Sequence, residues 1–248
     1  MIDTHAHLNF PEFEDDLDEV ITKSFESGIE RLVIPGSDAE NSSKALEIAR
    51  KYENVFAAVG IHPHYTREDF SQIEKLAQNE RVVAIGECGL DYFRLENKAD
   101  RGKQKDLFAK HLDLAEKLDR PLIFHNRESE DDFYEIIKDR KVRGVVHCYT
   151  STPEFAKKIL DLGFLISFTG IITFDKTGNL EEVIKSVPLE KIMVETDSPL
   201  LAPVPYRGKR AQPWMVKEII QKIADIKGLS FEEVDSQTTT NAKSFFEI

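Results

Sequence analysis

RVVAIGE, residues 81–87, is the stretch on which the fold turns. From Val82 to Ile85 every side chain is apolar, with no alternation of polar and apolar. The run then breaks at Gly86 and delivers an acid, Glu87. A strand that is apolar on both faces is covered on both faces, as in a parallel sheet sheathed by helices. The same pattern recurs on either side of it. Downstream, RPLIFH (120–125) ends on His125, VRGVVH (142–147) ends on His147, and KIMVET (191–196) is followed by Asp197. Upstream, IDTH opens the chain and carries His5, with His7 two residues on, and VFAAVG (55–60) precedes His62 and His64. RLVIP (31–35) and FLISFTG (164–170) complete a set of eight strand candidates.

Helical periods fill the gaps. Phe13, Leu17, Val20, Ile21 and Phe25 share one face at spacings of three and four, with Gly28 as a stop. LFAKHLDLAEKL (107–118) and EFAKKILDLGF (154–164) repeat the pattern, the latter behind a Ser-Thr-Pro start at 151–153. Eight strand–helix units in 248 residues predict an α/β fold, a (β/α)8 TIM barrel of the metal-dependent hydrolase type, as one domain over 1–248. A doubly wound open sheet accounts less well for where the polar residues fall. The segment 196–213 carries Pro199, Pro203 and Pro205 ahead of Pro213, and reads as an ordered, lid-like loop. Helical stretches at 214–227 and 231–246 follow it.

The apolar fraction of 41% and the charged fraction of 31% are those of a folded globular chain. No apolar run approaches the ~20 residues of a membrane helix. MIDTHAHLNF lacks a basic region followed by an apolar stretch, and two cysteines are too few to staple the chain. A reducing cytoplasm is the expected compartment, with no membrane and no obligate protein partner. The net charge of −12 excludes binding duplex nucleic acid with the whole surface, since phosphate neutralisation needs cations. It permits a cationic pocket in which metals and a few arginines are concentrated.

Six of the seven histidines sit at or just past strand ends, and Glu87 and Asp197 do likewise. In a barrel all C-terminal strand ends converge on one mouth. Residues spread over nearly two hundred positions thus meet. His-x-His sets two imidazoles on one side of an extended strand, because side chains alternate with period two. His5, His7, His125 and His147 with Glu87 and Asp197 are too many donors for one catalytic ion that keeps an open position. They suit two divalent ions, among Zn, Mg, Mn, Ni and Co, with a bridging carboxylate and a bridging water. His111, on a helix face, reads as a packed histidine.

THAHLNF (4–10), GIHPH (60–64), GECGLDYF (86–93), PLIFHNR (121–127), GVVHCYT (144–150), SFTGIITF (167–174), ETDSPLLAP (195–203) and RGKRAQP (207–213) together resemble the TatD family of metal-dependent deoxyribonucleases. Ala211 stands where that family usually has Asn. The resemblance implies an amidohydrolase-like TIM barrel in which His5, His7 and Asp197 bind one metal and His125 and His147 the other. Glu87 would bridge them. It implies cleavage of phosphodiester bonds at DNA strand ends, with DNA ends or single-stranded DNA as substrate. Asp197 and Glu87 would be catalytic, and a bridging hydroxide the nucleophile.

Four further residues are candidate substrate contacts. His62 and His64 suit a phosphate contact or a proton shuttle. Arg127, two residues beyond His125, faces the same way and can fork onto a phosphate. Arg207 belongs to a basic cluster with Lys209 and Arg210 on the closing loop. Asp91 can orient a ligand imidazole or cap a turn, and Tyr92 and Phe93 can stack on a base or pack under a loop. The alternative is an amidohydrolase-type enzyme acting on a small amide, lactone or phosphoester, since one fold serves many reactions. A metal-storage or interaction module leaves the open coordination positions unexplained.

Overall fold

The computed structural model describes residues 1–93, 95 and 99–248. The elements run β1 (Ile2–Asp3), α1 (Leu17–Glu26), β2 (Arg31–Pro35), α2 (Ala39–Lys51), β3 (Val55–Val59), α3 (Phe70–Leu76), β4 (Val82–Asp91) and α4 (Ala99–Leu118). They continue β5 (Leu122–Arg127), α5 (Glu130–Ile137), β6 (Gly144–Val146), α6 (Pro153–Asp161), β7 (Leu165–Phe168), α7 (Asn179–Ser186), β8 (Ile192–Val194), α8 (Val216–Lys227) and α9 (Phe231–Phe246). All eight strands pair in parallel in sequence order. Backbone bonds from Thr4 to Val194 (3.2 Å), Asp197 to His5 (2.9 Å) and His7 to Ser198 (2.7 Å) draw the last strand to the first. The architecture is the (β/α)8 barrel that the strand count predicts.

The two-faced apolarity of the strands divides into two cores. Ile2, Val33, Ala58, Val83, Ile123 and Val145 point inward, and Phe245 and Phe246 of α9 pack against this interior. Their strand neighbours, such as Leu32, Val59, Leu122, Phe124, Ile166 and Val194, point outward into the layer beneath the helices. That alternation of burial against burial is why no polar period shows in the sequence.

Strand and helix bounds differ from the sequence reading in places that matter. The first helix starts at Leu17; Phe13 is buried but belongs to a separate 3-10 turn at Pro11–Phe13. Glu87 does not follow β4 but lies within it, since the strand runs on to Asp91. Between the pairs Ile85–Leu122 and Cys88–Phe124, β4 advances three residues while β5 advances two. This bulge re-aims the side chains beside it. β5 likewise continues past His125 to Arg127, where it pairs with Asp91. The extra pairing requires Gly89: its φ is +146°, and a Cβ there would stand 2.0 Å from the His125 carbonyl oxygen.

The 196–213 loop is anchored along its length. Arg210 forms an ion pair with Asp16 (2.5 Å) and lies over the Phe13 ring, Ala211 donates to the Pro199 carbonyl (2.9 Å), and Arg207 stacks on Phe174. Ala211, at the position that departs from the TatD pattern, is buried with Ala202 and Met215. Among the described residues, no helix is long and apolar enough to cross a membrane.

Candidate metal centre

Glu87 stands at the centre of the barrel mouth with its two oxygens facing different histidines. Oε2 lies 3.4 Å from His5 Nε2 and 3.6 Å from His7 Nε2. Oε1 lies 2.7 Å from His125 Nδ1, 2.9 Å from His147 Nε2 and 3.6 Å from His62 Nε2. Among the described residues, two candidate metal-holding groups follow this division, His5, His7 and Glu87 in one and His62, Glu87 and His125 in the other, while a third, His5, His147 and Glu195, crosses it and a fourth is His62, His64 and Asp91.

The first group has the dimensions of a coordination shell. His5 Nε2 and His7 Nε2 are 3.1 Å apart, and Asp197 Oδ1 is 3.7 Å from the former and 3.4 Å from the latter. Around an ion with bonds of ~2.0–2.1 Å, the edges of a tetrahedron are roughly 3.3–3.4 Å. Five of the six separations among these two imidazole nitrogens, Glu87 Oε2 and Asp197 Oδ1 run from 3.1 to 3.7 Å. Imidazole and carboxylate donors at this spacing fit a divalent cation. Asp197 reaches its place from a left-handed backbone, φ +54°, which Asp adopts at low cost.

Behind His125 and His147 stand two acids. Asp91 Oδ2 lies 3.0 Å from His125 Nε2 and 3.2 Å from His64 Nε2, so His125 turns Nδ1 toward Glu87. The other oxygen of Asp91 accepts from Phe93 N at 2.9 Å, so both roles suggested for this residue coexist. Glu195 Oε1 lies 3.3 Å from His147 Nδ1 and accepts the Cys148 N–H at 2.7 Å. Through that bond it steadies Cys148, whose φ is +45°. Carboxylates behind metal-ligating imidazoles fix tautomer and ring direction.

Charge in this cluster is set by competition between burial and pairing. Burial pushes the Glu87 carboxyl up, but His147 and His62, with hydrogen bonds from His125 and His147, hold it well below its ordinary value. Asp197 is also pushed up by burial, and the hydrogen bond of His7 with the charges of His5, His7 and His147 leaves it lowered. Burial lowers His147, yet Glu87 and Glu195 raise it well above the usual imidazole value. His62 goes the other way, carried by burial down to about 3. The backbone N–H of His64 donates to its Nδ1 at 3.2 Å. That bond leaves Nε2, 3.6 Å from Glu87, as the ring nitrogen open to a proton or a metal ion.

Two buried acids escaped the sequence reading. Glu195 is one; Asp3 is the other, accepting from Thr196 N (2.9 Å) and Thr196 Oγ1 (2.5 Å), with burial pushing its carboxyl up to about 8. Each stands two residues before a candidate ligand, Asp3 before His5 and Glu195 before Asp197. An acid inside an otherwise apolar strand was the available signal, since burying one is costly unless it is bonded.

A cavity of about 480 Å³ opens above Glu87. His7, His62, His64, His125, His147 and Asp197 all line it. Phe10, Ile171, Leu200 and Leu201 form an apolar side, while Asn126, Arg127 and Thr150 form a polar one. Arg127 stacks on Phe93, 3.6 Å from the ring centroid, and is exposed at the rim. Arg207 is not among the lining residues; it lies over Phe174, 3.4 Å from the centroid. Tyr92 donates to Asp132 at 2.7 Å and is buried, which makes it packing. His111 is fully buried, accepts from Ile61 N at 2.9 Å and sits 2.8 Å from the Leu107 carbonyl. It is a structural histidine, and it pins the end of β3 from which His62 departs.

Comparison with known proteins shows the family. The sequence model of the TatD-related DNase family matches residues 2–247. An uncharacterised metal-dependent hydrolase of Bacillus subtilis, YabD, is 39% identical over 255 residues, covering 100% of this chain and 99% of the relative. A 3'-5' ssDNA/RNA exonuclease, TatD, of Erwinia tasmaniensis is 32% identical over 261 residues, covering 100% of both. The crystal structure of the TatD homologue YjjV of Escherichia coli superposes with a TM-score of 0.92 at 26% identity, over 100% of this chain and 98% of that one. Family match, relatives covered over their whole length and a shared barrel lead to one conclusion: this chain belongs to the TatD family of metal-dependent hydrolases.

Proposed function

We propose that the protein is a deoxyribonuclease that hydrolyses phosphodiester bonds at DNA strand ends, with His5, His7 and Asp197 holding one divalent ion, His125 and His147 a second, and Glu87 both. The observation that carries this reading is the division of Glu87, one oxygen toward His5 and His7 and the other toward His125 and His147. The activity named for the Erwinia relative supports the choice of a nucleic acid over other esters. When bound, a pair of divalent ions supplies positive charge at the phosphoryl oxygen and makes water acidic near neutral pH.

The chain's own residues do the rest. Asp197, whose carboxyl its neighbours hold below the ordinary value, is ionised and takes the proton of the attacking water. His62 presents Nε2–H as a fixed neutral donor to a phosphate oxygen, a role its bonded Nδ1 favours over proton shuttling. Arg127, oriented by Phe93 at the rim, forks onto the same or the next phosphate. Phe10, Ile171 and Leu200 exclude water from the opposite side.

The test is reconstitution with Mg, Mn, Zn, Co or Ni in turn, followed by parallel assays on end-labelled DNA, RNA and a panel of amides. Stepwise release of nucleotides from a DNA end is the expected result. Amide hydrolysis without DNA cleavage under every metal would overturn the proposal in favour of the amidohydrolase alternative.

A further inference from the structure

The cavity above Glu87 has a neighbour. His64 and Tyr65, which form its wall beyond β3, are also walls of a second cavity of about 420 Å³. Arg67, Asp100, Lys103 and Gln104 line the second one. The two cavities adjoin at His64 and Tyr65, one on the side of Glu87 and the other on the side of α4. Both volumes fall within the ~300–1,000 Å³ of small-molecule sites, room for about one nucleotide each. Buried Gln104 joins them, since it accepts from Asp91 N at 3.0 Å and donates to Asp91 O at 2.9 Å. Asp91 in turn faces His64 and His125.

Tyr65 stands where the compartments meet and is 46% exposed, whereas Tyr92 and Tyr149 are buried. Its backbone is held, with its N–H on the His62 carbonyl (2.9 Å) and its own carbonyl accepting from Glu68 (3.1 Å). Among the described residues no hydrogen bond engages its hydroxyl, and its ring meets only the edge of His62, at a centroid distance of 6.4 Å. An aromatic ring with a fixed base and an open face is a stacking platform for an unpaired base. The charges of the second compartment cancel, Arg67 and Lys103 against Glu68 and Asp100. Lys103 is paired with Asp100 at 2.5 Å, and among the described residues no ion pair engages Arg67. Stacking, with one free guanidinium, is thus what the compartment offers a strand.

We propose that the second compartment is a subsite for the unpaired nucleotide next to the scissile bond, with Tyr65 stacking on its base and Arg67 meeting its phosphate. This rests on the phosphodiesterase reading above. It makes the enzyme selective for single strands longer than a dinucleotide, whatever their sequence.

The experiment compares kcat/KM of the metal-loaded, full-length protein on thymidylate di-, tri- and tetranucleotides and on bis(p-nitrophenyl) phosphate. The wild type should gain about tenfold or more from dinucleotide to tetranucleotide, chiefly through KM. Tyr65→Ala should abolish that gain, Tyr65→Trp should keep it, and Arg67→Glu should reduce it several-fold. Lys157→Ala, on the far surface of α6, should leave the gain as it is. If the wild type cuts the small diester and the dinucleotide without any length dependence, the subsite is wrong while the phosphodiesterase reading stands. A uniform loss on all substrates in Tyr65→Ala also overturns the subsite, because it marks a structural role. Failure to hydrolyse any phosphodiester overturns the reading on which the subsite depends.

Discussion

At the scale of single residues, the proposal stands on Glu87 serving two sides at once. Glu87→Ala should therefore empty both ion sites, while His5→Ala should empty about one, as metal analysis of the purified variants would show. Equal loss of a single ion in the two variants would sink the bridging assignment. Asp197 allows a sharper experiment, because Asn fits the left-handed backbone at φ +54° as readily as Asp does. Asp197→Asn should keep its circular dichroism and lose on the order of a thousandfold or more in kcat. Near-normal turnover in that variant would mean another group takes the proton. The sequence exposes these residues because His-x-His and an acid after an apolar run are visible as patterns. Glu195 and Asp3 were hidden for a physical reason. Their roles depend on partners far along the chain, with Cys148 for the one and Thr196 for the other.

Secondary-structure elements show how the fold holds the site steady. His111 of α4 accepts the N–H of Ile61 just beyond β3, which ties the helix to the strand that delivers His62. Burial lowers this imidazole from 6.5 to about 4. A buried ring that must stay neutral contributes stability that is complete above the unfolded value. It is lost as pH falls from about 6.5 toward 4, on the order of 3 kcal/mol in total. Urea unfolding of metal-free protein at pH 7 and pH 4.5 should show wild type losing more than His111→Gln over that interval. Equal losses would show that this ring is not what the acid limb reports. Element bounds were the weaker part of the sequence reading, and the β4 bulge is the clearest case. RVVAIGECGLD carries no local mark that one residue is extra, because the excess exists only relative to the pairing of β5.

For the whole molecule, the proposed function sets a polyanionic substrate against a net charge of −12. The basic cluster at 207–210 is thinner in space than in sequence, since Arg210 is consumed by Asp16 and Arg207 lies over Phe174. Among the described residues that line the mouth, Arg127 is the one arginine or lysine. A strand threaded by its end meets these few charges, while duplex laid across the surface meets the acidic shell. Closed circular DNA should resist cleavage, and the affinity for a linear single strand should fall with a log–log salt slope of only about −1 to −2. A steep slope, or efficient cutting of circles, would show that phosphates engage a much larger surface.

What the sequence determined by itself was the barrel and the set of groups that meet in it. Both depend on local pattern, apolar runs of strand length ending in His, Glu or Asp, and a barrel brings every such end to one mouth. What only the tertiary structure decided was direction. The bulge at Glu87, the turned backbone at Asp197, the acids behind His125 and His147 and the second cavity past Tyr65 all arise between segments far apart in the chain. Local pattern carries the identity of a donor, but the direction of its lone pair is set by whatever packs behind it.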